Sequence, residues 1–154
     1  MKNKLLGLGI LGALVFLSVT AALPSRGRAN FSGAEKIQVE VDVYSGRPNP
    51  RWDLSTEQAA EFLKMVQALP KRESDSTLFE GLGYRGLKIT GSGLSQDGYT
   101  EIVISRGIVM VKEENRSQQL TDKGRAVERW LLQSGKGKLE DKLYEYLSEE
   151  TSKQ

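Results

Sequence analysis

The sequence predicts one small α+β domain, a four-stranded sheet packed with about three helices in the order β-α-β-β-β-α-α. Three patterns predict it. Residues 37–44 alternate strictly, with Ile37, Val39, Val41 and Val43 on one side and Gln38, Glu40, Asp42 and Tyr44 on the other, the period of a half-buried strand. Residues 55–58 (STEQ) form a capping box ahead of Ala59, Phe62, Leu63, Val66 and Leu69, which keep helical spacing until Pro70. Downstream, three short β-rich runs punctuated by glycine precede two stretches with apolar residues three or four apart.

Each element has a local reason. The Ser55 hydroxyl is placed to accept an early helix amide, and Gln58 to reach back. Residues 71–83 read as a polar loop whose one apolar pair, Leu78-Phe79, tucks against the core. Strands are expected at 84–90, 100–105 and 108–112, separated by Gly91, Gly93 and the Asp97-Gly98 pair. Arg106-Gly107 puts glycine where a tight hairpin needs a left-handed residue. Thr121 or Asp122 opens a helix carrying Val127, Trp130 and Leu131 and ending at Gly135. A last helix over 139–148 shows Leu139, Leu143 and Leu147 at fourfold spacing, with a frayed polar tail from Glu149.

The domain so defined covers 36–148. Residues 1–23 pair a basic start (Lys2, Lys4) with an uncharged 19-residue run, which reads as a signal peptide or an N-terminal membrane anchor. Val19-Thr20-Ala21 offers small residues for a signal peptidase. Either reading makes the remainder extracytoplasmic: secreted, periplasmic or anchored facing outward. The membrane is then met only through the N-terminal segment. Residues 24–35 are a flexible linker rich in Gly, Ser, Arg and Ala, and 149–154 form the tail.

Composition narrows the chemistry. The 154 residues include no cysteine and no histidine, which excludes thiol nucleophiles, disulfides, thiolate or imidazole metal sites and imidazole-based triads. The whole chain carries +2, but Lys2, Lys4, Arg26 and Arg28 precede every acidic residue; residues 30–154 hold 18 basic and 20 acidic side chains. Nothing in that balance points to nucleic acid. No cofactor, metal or catalytic residue is indicated: the Gly81 and Gly83 pair and the Gly91 and Gly93 pair lack a phosphate-loop context.

Residues 45–54 (SGRPNPRWDL) stand out. Two prolines stiffen the loop, and it carries Arg47, Asn49, Arg51 and Trp52, groups able to meet carboxylate, phosphate or sugar. The same residues also suit a plain connector, with Trp52 as a core lid and Arg47 or Arg51 paired to Asp53, Glu80 or another carboxylate. The combination of SGRPNP (45–50), Trp52, Leu54-Ser55, Glu57, Ala59 and a later LGYRG (82–86) resembles a family of small uncharacterised proteins with no established activity. The resemblance implies only that Tyr84 and Arg85 lie beside the loop at one end of the sheet.

The expected function is a non-enzymatic binding module presenting Arg47, Asn49, Arg51, Trp52, Tyr84 and Arg85 to a protein or cell-envelope component. The alternatives are an envelope-polymer hydrolase using carboxylates such as Glu40 or Asp42, and a structural accessory domain without a ligand.

Overall fold

Alternation in 37–44 builds strand β1 (Gln38–Asp42), whose Val39 and Val41 are fully buried. In the computed structural model, residues 36–73 and 81–153 are described. The N-terminal segment 1–23, the linker 24–35 and the Leu78-Phe79 pair lie outside the described residues. The other elements are β2 (Arg51–Asp53), α1 (Thr56–Gln67), β3 (Gly86–Thr90), β4 (Tyr99–Ser105), β5 (Ile108–Glu113), β6 (Ser117–Thr121), α2 (Ala126–Ser134) and α3 (Asp141–Ser152). A 3₁₀ segment, Ser92–Asp97, joins β3 to β4, and a second, Lys123–Arg125, leads into α2.

The α+β class stands, but the sheet has six antiparallel strands rather than four, in the spatial order β2-β1-β3-β4-β5-β6. Two strands escape the sequence pattern for physical reasons. β2 has three residues and follows Pro50, so it reads as loop, yet it pairs Val39 with Trp52 across a hairpin. β6 (SQQLT) is an edge strand with one apolar residue, Leu120, and has no alternation to display. The second helix begins at Ala126, not at Thr121 or Asp122, because Gly124 and Arg125 take left-handed backbone and break the helical path. The last helix runs through Ser152, where the Thr151 hydroxyl donates to the Leu147 carbonyl.

Register explains the core. Trp52, Val39 and Ile89 align across β2, β1 and β3; Ile89, Ile102 and Val111 continue across β4 and β5; Leu87, Ile104, Val109 and Leu120 form a parallel row. These side chains join Phe62, Val66, Val127, Leu131 and Leu147 from the helices in one hydrophobic cluster. The capping box of α1 is complete: Gln58 N–H donates to Ser55 Oγ at 3.2 Å, and Ser55 N–H to Gln58 Oε1 at 3.0 Å. Arg106 (φ 51°) and Gly107 (φ 78°) make the tight β4–β5 turn. Residues Pro70 to Arg72 cover the outer edge of β6 through Thr121 N–H to Pro70 O and Arg72 N–H to Gln119 O.

The opposite sheet face carries charge in alternating sign across five strands: Arg51, Glu40, Lys88, Glu101 and Lys112. Arg51 meets Glu40 at 2.7 Å, Lys88 meets Glu101 at 2.8 Å, and Lys112 meets Glu101 at 2.5 Å, while Glu40 and Lys88 are register partners. Burial pushes the Glu101 carboxyl up, but its two lysine partners outweigh that and hold it below the ordinary range.

Candidate functional site

The loop after β1 folds back over the charged sheet face, and one side chain holds it there. Asn49 Oδ1 accepts the backbone N–H of Val43 (3.2 Å) and Tyr44 (2.9 Å), while its Nδ2 donates to Glu40 Oε1 (3.1 Å) and Asp42 Oδ1 (3.3 Å). Both lone-pair sites and both amide protons are therefore in use. Arg85 completes the frame. Its guanidinium grips both Asp42 carboxylate oxygens, Nε reaching Oδ2 at 3.0 Å, and Nη2 donates to the Tyr44 carbonyl at 2.9 Å. The hydrogen bond from Arg85 holds the Asp42 carboxyl below its ordinary value, against the opposing effect of burial. The loop and the 84–86 segment are thus neighbours.

These bonds redefine the candidate residues. Asn49 and Arg85 belong to the internal frame. Arg51 stands on β2 with its guanidinium on Glu40 and its side chain 56% exposed. Arg47 makes no hydrogen bond or ion pair with a described residue; its guanidinium carbon sits 3.5 Å from the centroid of the Tyr44 ring, exposed at the loop tip. Glu40 and Asp42, the pair considered for acid–base chemistry, are tied to Arg51, Asn49 and Arg85. Asp42, whose carboxyl Arg85 holds down, is poorly suited to donate a proton near neutral pH.

Trp52 faces the other way. It points with Val39 into the core at 4% exposure, and its indole N–H donates to Ser134 Oγ at 2.9 Å. The ring lies against Gly135 so closely that a Cβ there would fall 2.9 Å from it, which gives that glycine a packing role beyond ending α2. Trp52 is a lid on the core and offers no face to a ligand.

Tyr84 is also internal, and it leads to residues that sequence reading missed. Its hydroxyl donates to Glu128 Oε1 at 2.6 Å, and Glu128, on α2, is fully buried. Arg125 clasps the same carboxylate with Nε to Oε2 at 2.8 Å and Nη2 to Oε1 at 3.0 Å, and its Nη1 donates to the Glu150 and Lys153 carbonyls at the end of α3. Burial first, and Glu128 second, push the Tyr84 phenol far up, so it remains a proton donor. Asp122, also buried, accepts the Val127 and Glu128 amides and caps α2. Helical spacing held the signal: Glu128 lies three and four residues before Leu131 and Leu132, on the apolar stripe, where an acid requires a partner.

Among the described residues no group of three or more acidic side chains is placed to hold a metal ion, and no helix is long and apolar enough to cross a membrane. The resemblance carried by SGRPNP and LGYRG rests on those segments alone, for no family model, curated protein or solved structure matches this chain.

Proposed function

We propose that this protein is an exported, non-catalytic binding module that meets a protein or cell-envelope component through the loop tip formed by Tyr44 and Arg47. One observation carries the reading: the loop's frame is satisfied internally by Asn49, Asp42 and Arg85, while Arg47 stacks exposed on Tyr44 and is used by nothing else described in the fold. A surface ordered before its partner arrives loses little entropy on binding, and a stacked guanidinium is a common interface anchor. Arg51 stands on the adjacent edge strand, exposed enough to extend the contact. Export rests on the basic start and uncharged run of residues 1–23.

Arg47→Ala tests the loop. The site is exposed, so stability in thermal melts should stay within about ±0.5 kcal/mol of wild type, while capture of a binding component from envelope extract falls. Unchanged capture by the variant would remove the loop tip from the interface. A reporter fused after Gln154 should be active only outside the cytoplasm; activity confined to the cytoplasm would overturn export.

A further inference from the structure

A second feature lies away from the loop tip. The β4–β5 turn, the 3₁₀ segment before α2, α2 itself and the end of α3 enclose a cleft of about 590 Å³, and a smaller one of about 210 Å³ shares Arg106, Arg125 and Lys153 with it. Five cations line the larger cleft: Arg106, Lys123, Arg125, Arg129 and Lys153. Residues 30–154 hold more acids than bases, so this clustering is not a by-product of composition.

The acids nearby are already committed. Asp122 accepts the α2 amides, and Glu128 accepts Arg125 and Tyr84. Arg125 is locked by Glu128 and the α3 carbonyls, and Lys153 pairs with Glu150. Lys123 and Arg129 are exposed and make no hydrogen bond or ion pair with a described residue. The backbone adds an independent observation. Among the described residues, the two non-glycine residues with positive φ are Arg106 (51°) and Arg125 (55°), and both line this cleft. Arg125 holds its conformation through the bonds just named. Arg106 occupies the first position of a two-residue turn that asparagine, aspartate or glycine fills with less strain, and an arginine there delivers a long cation to the cleft mouth.

We infer that this cleft binds the phosphate group of a small organic phosphate, with Lys123 and Arg129 as its contacts and Arg106 at its mouth. Cations arriving from several segments suit a tetrahedral phosphate, whose oxygens point in several directions, better than a planar carboxylate, which one guanidinium fork would satisfy. The volume exceeds that of a bare ion and falls in the range of small-molecule sites, leaving room for the organic part. A soluble phosphate ester and an anionic lipid headgroup share this chemistry.

The full chain should be titrated with inorganic phosphate and glycerol 3-phosphate, and co-sedimented with phosphatidylglycerol vesicles against phosphatidylcholine vesicles. Glycerol 3-phosphate should bind more tightly than inorganic phosphate if the source is soluble; selective sedimentation with phosphatidylglycerol identifies the headgroup source. In either case Lys123→Ala combined with Arg129→Ala should weaken binding about tenfold or more without moving the melting temperature, since hydrogen bonds to charged groups are lost and nothing in the fold is. Arg106→Asn keeps a residue at ease in the left-handed turn while removing the guanidinium, so it should also weaken binding and leave the turn folded. Arg47→Ala should bind like wild type, which separates this cleft from the loop reading. Absence of both ester binding and phosphatidylglycerol preference in wild type would overturn the assignment, as would binding that survives in both cleft variants.

Discussion

Tyr84 and Arg85 are adjacent in the chain, yet each serves a different network. Arg85 joins Asp42 and Asn49 on the open face of the sheet, whereas Tyr84 joins Glu128 and Arg125 under the helices. Both networks place an arginine fork on a carboxylate, but their surroundings differ. Asp42 is 41% exposed and water can replace its partner; Glu128 is fully buried and water cannot. Similar geometry therefore does unequal work. The outer network chooses the shape of a loop, and the inner one decides whether α2, α3 and the 84–86 segment can pack together at all.

That contrast can be broken by substitution, beginning inside. Glu128→Ala leaves Arg125 and the Tyr84 hydroxyl without their shared acceptor and should cost about 3–5 kcal/mol in denaturant unfolding. A loss no larger than that of an outer substitution would mean the inner network is solvated. Tyr84→Phe removes one hydrogen bond to the carboxylate while the Arg125 fork remains, and should cost about 1.5–3 kcal/mol in the same measurement. Asn49→Ala strips the Val43 and Tyr44 amides of their acceptor. It should cost about 1–2 kcal/mol, with faster amide hydrogen exchange confined to the loop.

The smallest effect is one of pH. Because Arg85 holds the Asp42 carboxyl below its ordinary value, the ionised form favours the folded state above the unfolded value and loses that advantage as pH falls through the folded one. The melting-temperature difference between wild type and Asp42→Asn should therefore be constant near neutrality and shrink as the pH falls below the ordinary carboxylate value of about 4 and through the lowered folded one. A difference that persists at the acid end would assign Asp42 a role that does not depend on its charge.

Much of the inner architecture was readable from residue spacing. β1 and α1 announce themselves through alternation and a capping box, since both signals reside within eight consecutive residues. β2 and β6 do not. Trp52 is a strand residue only because a hairpin brings it opposite Val39, and Leu120 is buried only because β5 lies beside it. The candidate loop shows the same divide. Its stiffness is written in Pro48 and Pro50, but the fate of the Asn49 amide depends on where the hairpin deposits it, over Glu40 and Asp42. Trp52 and Tyr84 turned inward for a related reason: an aromatic residue with a polar tip suits a surface or a core with one satisfied partner, and only tertiary contact decides between them.

The alternating charges on the open face have a consequence for how the sheet finds its pairing. Sliding a strand by one residue would expose its whole apolar set, so odd errors are forbidden by the core. Sliding β3 by two residues against β1 keeps Leu87 and Ile89 facing inward, and hydrophobicity scarcely distinguishes that misalignment from the native one. It would, however, carry Lys88 away from Glu40: one direction sets it opposite neutral Gln38, and the other sets it opposite Asp42 and parts that carboxylate from Arg85. The surface pairs, each weak as a stabiliser, thus act together as a proofreading device for even-numbered slips, discriminating between folded alternatives that the interior cannot tell apart.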